Sequence, residues 1–357
     1  MNIGKIRAVA FYLPQYYPTP ENDEWWEPGF TEWTRVAKAK QLFKGHYQPR
    51  IPKDLGFYDL RVPEVREKQA EMARSAGIEG FCYWHYWFAG RRLLDRVFTE
   101  VLESGKPDFP FCLCWANHSW EAKTWNPNIP NAMLIEQTYP GIEDYKAHFY
   151  AMLPAFKDKR YMTMDGKPIF GVFNPVEFSD FPLFANTWNQ LAKKEGLDGF
   201  FFFALAQGTD NLCKCKDFNY DSIVFDKMID VKNQISWLKR KYHGLLFRLK
   251  RPFPLDYDEY INKSLQDFSN QSSLIPCIVP DFDHSPRSAY RWVIFKNSTP
   301  EKWEYLCRKT REIVESRGNG VNLLFIKSWN EWGEGNYLEP DQKYGHAYLD
   351  ATSRALK

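Results

Sequence analysis

Two carboxylic acids three positions apart, Glu331 and Glu334, are the residues of this chain best placed to do chemistry. They lie in the run Ile326-Lys327-Ser328-Trp329-Asn330-Glu331-Trp332-Gly333-Glu334-Gly335, directly after the apolar stretch Val321 to Phe325. That stretch reads as a buried strand, so both acids are expected where a strand ends and a loop begins. A carboxyl pair can act as acid and base when one member keeps its proton and the other is ionised. Apolar walls and like-charge proximity separate the two pKa values. Bonds between sugars are broken by such pairs. Trp329 and Trp332 are expected as the walls, and Gly333 and Gly335 as the points where the backbone turns tightly. From these residues alone, two solvated loop acids beside core tryptophans remain the other reading.

The elements that must hold the pair are legible along the whole chain. Apolar runs reading as strands are Ile6 to Leu13, Gly80 to Tyr83, Phe111 to Ala116, Pro168 to Phe173, Gly199 to Ala204, Ser222 to Phe225, Leu274 to Pro280 and Asn322 to Trp329. Helical segments alternate with them: Val62 to Ala76, Leu93 to Ser104, Ile142 to Phe156, Phe184 to Glu195, Tyr257 to Phe268 and Pro300 to Ser316. This alternation predicts an α/β fold, a single (β/α)8 barrel domain over residues 1–357. Its surplus length lies in long βα loops, Pro14 to Arg61, Trp115 to Gly141 and Phe225 to Pro254. An open doubly wound sheet would show the same alternation.

Barrel active sites form where strands give way to βα loops, and polar and aromatic residues gather at those points. Tyr12, Gln15, Trp25 and Trp26 follow the first strand, and Tyr83, His85 and Trp87 the second. Trp115, Asn117 and Trp120 follow the third, Asn174 the fourth and Gln207 the fifth. Asp283, His284 and Arg287 follow the seventh, and Asn330 and Trp332 flank the acids on the eighth. These are the expected substrate-binding residues. Each cluster also has a bland reading, His85 as an interior histidine and the tryptophans as packing.

Composition narrows the class. Lys and Arg number 47 against 45 Asp and Glu, so no global field attracts nucleic acid. With 28 Phe, 20 Tyr and 14 Trp, aromatics make up 17% of the 357 residues. Flat apolar faces with polar tips suit sugar rings, although most Phe are expected in the core. The N-terminus carries no signal-peptide pattern and no apolar run is long enough to span a bilayer. The seven Cys, several of them in apolar runs, read as reduced thiols of a cytosolic protein.

The segments Phe11-Tyr12-Leu13-Pro14-Gln15-Tyr16, Asn22 to Trp26, Gly29 to Trp33, Gly80 to Phe88, Cys114 to Asn117 and Trp329 to Asp341 resemble the WbsX family. Its members accompany O-antigen and capsule biosynthesis and are usually labelled glycosyltransferases. The family is similar in turn to the endo-α-mannosidases of glycoside hydrolase family 99, which are (β/α)8 barrels. In those enzymes an Asn-Glu-Trp-x-Glu-Gly motif serves a retaining mechanism without a protein nucleophile. The resemblance implies Glu331 as the base on the sugar 2-hydroxyl and Glu334 as the general acid/base. The residues themselves leave the order of the two roles open.

Nothing in that chemistry demands a metal or another cofactor. Asp281-Phe282-Asp283 and Asp256-Tyr257-Asp258 match the DxD pattern of metal-dependent nucleotide-sugar transferases, but neither has a phosphate-cradling glycine loop. Cys213-x-Cys215 lacks the spacing of a zinc site. The segment 232–251 is basic throughout (Lys232, Lys239, Arg240, Lys241, Arg248, Lys250, Arg251), interleaved with Ile235, Trp237, Leu238, Leu245, Leu246, Phe247 and Leu249. It reads as a peripheral contact with the inner, anionic face of a membrane or as a solvated loop face. The expected function is glycosidic-bond chemistry on a glycan or lipid-linked oligosaccharide during lipopolysaccharide, O-antigen or capsule assembly. A nucleotide-sugar-dependent glycosyltransferase and a non-catalytic glycan-binding module are the alternatives.

Overall fold

Eight parallel strands close on themselves in the computed structural model, which describes residues 5–122, 132–233, 236–317 and 321–357. They are β1 (Arg7–Tyr12), β2 (Gly80–Phe88), β3 (Phe111–Trp115), β4 (Lys167–Val172), β5 (Phe201–Gln207), β6 (Ser222–Asp226), β7 (Leu274–Ile278) and β8 (Leu323–Ile326). Each pairs in parallel with its neighbours in sequence. Val9 on β1 pairs with Gly80 on β2 and with Phe325 on β8, so the cylinder has no free edge. That closure excludes the open doubly wound sheet. All eight strands arise from apolar runs picked out in the sequence. Met1 to Gly4, Ile235, part of the third βα loop and the side chain of Lys232 lie outside what is described.

The strands are buried on both faces, which is why their sequences run apolar without alternation. Phe11, Phe203 and Phe325 fill the barrel interior, with ring centroids 5.3 Å apart for Phe11–Phe325 and 4.9 Å for Phe203–Phe325. Gly171 on β4 makes room for them, because a Cβ there would lie 2.2 Å from the Phe203 ring. Outside, Trp188 and Phe184 of the helix Phe181–Lys194 pack on Phe170. Trp115, Trp188, Trp303, Trp329 and Trp332 are all fully buried. Much of the aromatic excess is therefore core.

Helices Ile142–Phe156 and Pro300–Ser316 have the bounds expected from sequence. Phe181–Lys194 begins a turn earlier than expected because Pro182 sits in its first turn, where a missing N–H costs nothing. β2 runs on to Phe88, well past the expected end at Tyr83, with every residue buried. That extension changes which side chains reach the mouth. No helix among the described residues is long and apolar enough to cross a membrane. All seven cysteines are free.

Candidate active site

After β8 the chain makes one tight excursion. Asn330–Glu331 pairs antiparallel with Asn336–Tyr337, and the turn between them, Trp332–Glu334, is a single 3-10 turn. Gly335 ends it at φ +58, a left-handed value, and a Cβ there would meet Asp283 Cβ at 2.8 Å. Asn330 locks this loop to β1: its Oδ1 accepts from Leu13 N at 2.8 Å and its Nδ2 donates to Leu13 O at 3.0 Å. Tyr16 Oη accepts from Trp332 N at 3.0 Å. The two tryptophans are anchors. Trp329 Nε1 and Trp332 Nε1 donate to the buried Glu339 carboxyl at 3.0 and 2.6 Å, and Gln69 Nε2 and Tyr58 Oη add bonds of 2.6 and 2.9 Å. Burial pushes the Glu339 carboxyl up to about 7, against the pull of these donors.

Both acids turn back toward the barrel axis and meet Arg287, from the short helix Ser285–Ser288. Its Nη1 lies 2.5 Å from Glu334 Oε1, and its Nη2 lies 2.9 Å from Glu32 Oε2 and 3.8 Å from Glu331 Oε2. Gly333 permits this convergence, since a Cβ would come within 2.2 Å of Glu32 Oε2 and 2.9 Å of Arg287 Nε. The acids are unequal. Burial, and next the charge of Glu334, raise the Glu331 carboxyl to about 7, opposed by Arg287, Lys327 and the Trp84 N–H. Burial also pushes Glu334 up, but Arg287 first, then Lys327 and His284, outweigh it and hold that carboxyl below its ordinary value. Lys327 is buried, which favours its neutral form. Asp226, at 3.4 Å, and the two glutamates outweigh burial and raise its pKa. Near neutrality the site thus holds an ionised Glu334 beside a Glu331 poised to carry a proton.

Two adjoining cavities of about 120 and 720 Å³ open at this point and share His118, Phe173, Lys327 and Glu334. The smaller is walled by Trp84, Tyr86, Leu13 and Glu331. The larger runs past Asn174, Gln207, Met228, Phe282, His284 and Trp292. Aromatic walls with a few convergent polar tips are what a saccharide ring requires. Burial lowers His118 and His284 to about 4, so both are neutral hydrogen-bonding groups near pH 7.

Of the residues expected from sequence, Glu331, Glu334, Arg287, Asn174 and Gln207 line these cavities. Gln15, Trp25, Trp26 and Trp120 surround a small adjacent void with Glu32, one layer behind the site, and Trp120 packs edge-on against Tyr86. The contacts of the others place them away from these cavities. Tyr83, His85 and Trp87 lie on the outward face of β2. Tyr83 packs on Tyr12 and Phe98, His85 Nε2 meets His148 Nε2 at 2.7 Å, and Trp87 stacks on His148. Burial lowers His85 to about 3. Tyr12 donates outward to Gln69 at 2.6 Å. Trp115 packs on Phe178 and Phe184, and its N–H goes to Trp87 O. Asn117 bridges to Asn174, donating to its O at 3.0 Å and accepting from its N at 2.8 Å. Asn330 and Trp332 support the loop as described above.

Asp283 is also structural. His46 Nε2 and Gln48 Nε2 reach it at 2.8 and 2.7 Å. Burial pushes its carboxyl up, and the His46 bond and Arg50 hold it well below the usual range. Asp281 is tied to Arg50 at 2.8 Å, and Asp256 caps the helix Tyr257–Asn270. No cluster among the described residues has the makings of a metal site.

Residues at the candidate site beyond those expected are Trp84, Tyr86, Phe173 and Lys327, which line the cavities, and Glu32, which pairs with Arg287. Because a strand alternates its side chains, the β2 residues that line the cavity, Trp84 and Tyr86, sit one position from Tyr83, His85 and Trp87. A lysine ending an otherwise apolar strand was the available signal for Lys327.

The eight closed parallel strands define a (β/α)8 barrel. The chain belongs to the WbsX glycosyltransferase family, whose model matches residues 8–352. It is 34% and 33% identical over 356 residues to WxcX of Xanthomonas campestris pv. campestris strains B100 and ATCC 33913. It spans about half of those relatives, 98% of this chain against 49% of theirs. Among solved structures, a glycoside hydrolase-like protein superposes with a TM-score of 0.64 at 14% identity, covering 100% of this chain and 96% of that one. The family 99 endo-α-mannosidase from Bacteroides thetaiotaomicron gives 0.57 at 13% identity, covering 98% and 96%. At that identity the likeness is one of fold.

Proposed function

We propose that this chain acts on glycosidic bonds of a surface-polysaccharide glycan, with Glu331 and Glu334 as the acid/base couple. The observation that carries this reading is the unequal carboxyl pair, one arginine-bound and one held near neutrality, at the floor of an aromatic cleft. One group withdraws a proton from the sugar 2-hydroxyl, which attacks the anomeric carbon as the bond to the leaving oxygen breaks. The other protonates that oxygen and then takes a proton from the incoming hydroxyl, whose oxygen bonds to the anomeric carbon as the bond between that carbon and O2 breaks and the first group returns its proton to O2. Water as the incoming group gives hydrolysis, and a second sugar gives transfer. Burial raises the Glu331 carboxyl to about 7 while Arg287 holds Glu334 below its ordinary value, which supports the order opposite to the one implied by resemblance. We therefore assign Glu331 as donor and Glu334 as base.

Aryl glycosides of graded leaving-group acidity test the assignment. Glu331→Gln should lose activity on poor leaving groups and keep much of it on good ones, whereas Glu334→Gln should lose both. The reverse pattern would restore the order implied by resemblance.

The family's description favours a second reading, transfer from a nucleotide sugar. Against it, Asp281 and Asp283 are engaged by Arg50, His46 and Gln48 and do not line the cleft. Saturable, divalent-cation-dependent binding of a nucleoside diphosphate by calorimetry would favour this rival. The physiological substrate we propose is a lipid-linked oligosaccharide presented at the inner face of a membrane.

A further inference from the structure

The loop after β6 carries a helix, Trp237–Arg248, with no buried residue. Helices on soluble proteins bury their apolar stripe; this one displays it. Leu238, Tyr242, Leu245 and Leu249 recur at i, i+4, i+7 and i+11, and Leu238 and Leu249 are 69% and 58% exposed. Trp237 beside them is 63% exposed, with Lys241 Nζ 4.0 Å above its ring. Lys241 and Arg248 flank the stripe, and Lys250 and Arg251 follow it; between Asp230 and Asp256 the sequence contains no acid. The other side of the helix rests on the barrel. Phe247 packs on Tyr290 at 5.6 Å, His243 on Phe253 at 5.4 Å, and Lys239 pairs with Glu259. Tyr290 adjoins Arg291 and Trp292, which line the larger cavity.

We propose that this helix docks the chain onto an anionic lipid bilayer, lying in the plane of the interface beside the barrel mouth. The charge pattern selects the occupant. A row of leucines edged by lysine and arginine, with no carboxylate between, matches acyl chains beneath negatively charged headgroups. A second copy of a nearly neutral chain offers no comparable negative surface. Docked this way, the cleft opens next to the membrane, where a glycan carried on a lipid would be presented. That statement about substrate rests on the glycosidic reading above; the docking itself does not.

Co-sedimentation with phosphatidylcholine vesicles, with and without phosphatidylglycerol, tests the proposal. The protein should bind the anionic vesicles and be released by salt. The triple variant Lys241→Glu, Arg248→Glu, Lys250→Glu should bind at least about tenfold more weakly. Leu238→Ser, Leu245→Ser, Leu249→Ser should do the same. Since none of these side chains is buried, both variants should keep the thermal transition and the turnover of a water-soluble oligosaccharide. Glu334→Gln should bind vesicles like the wild type, so the docking stands even if the catalytic assignment falls. Absence of binding to anionic vesicles, or wild-type binding by either triple variant, would overturn it. So would a dimer that forms without lipid and is abolished by the serine variant.

Discussion

The indole N–H of Trp84 donates to Glu331 Oε1 at 2.9 Å, joining β2 to the acid that follows β8. Trp84 also stacks on Phe11, with centroids 4.5 Å apart, so its position is set by the barrel interior. The bond favours the ionised form of Glu331 and holds its pKa down. Trp84→Phe should therefore move the alkaline limb of kcat/KM to higher pH, by up to about one unit. A pH–rate profile reads this, and a shift downward would contradict Glu331 as the proton donor.

The same carboxyl makes stability depend on pH. Its folded pKa of about 7 lies above the unfolded value near 4.5, so the folded state holds the proton more tightly. That contribution is complete below about pH 4.5 and is lost as pH rises through 7. Glu331→Gln removes the penalty, and should raise Tm relative to wild type more at pH 8 than at pH 4.5. The difference should be worth roughly 3 kcal/mol at most. Parallel melting curves for the two proteins would show the variant's advantage to be absent if the carboxyl is unperturbed.

Arg287 holds three carboxylates at once. Arg287→Met should cost about 3–5 kcal/mol near neutral pH, because it leaves buried acids facing one another. The depressed pKa of Glu334 gives stability that is present above about pH 4.5 and lost as pH falls. The penalty of the variant should therefore shrink below pH 4. Denaturant unfolding at two pH values measures it, and a penalty independent of pH would remove Arg287 from the acid cluster.

His85 and Tyr86 are adjacent on β2 and point to opposite sides. His85→Phe should lower stability by about 1–2 kcal/mol, through the orphaned His148, and leave kcat/KM unchanged. Tyr86→Ala removes a cleft wall and should lower kcat/KM about tenfold. Loss of turnover in the His85 variant would mean that the outward face of β2 bears on catalysis.

The barrel was legible because each strand is an apolar run bounded by polar loops, and the acid pair because two carboxylates after a buried strand are unusual. The orientation within β2 was not. In Gly-Phe-Cys-Tyr-Trp-His-Tyr-Trp-Phe there is no alternation of polar and apolar residues, since one face meets the barrel interior and the other the helix layer. His85 stands out by residue type, while nothing in the sequence separates Trp84, the partner of Glu331, from Trp87. Asp283 shows the converse, and Glu339 behaves like it. Both acids near the site are buried anchors, and only their donors in space reveal it.

The central claim is tested most directly by mass-spectrometric product analysis of the protein with a panel of lipid-linked oligosaccharides, with and without nucleotide sugars. The account predicts a cleaved or rearranged glycan without any nucleotide sugar, and loss of product by about a hundredfold or more in both Glu331→Gln and Glu334→Gln. Product that appears only when a nucleotide sugar is added, or that persists at wild-type rate in either variant, would contradict it.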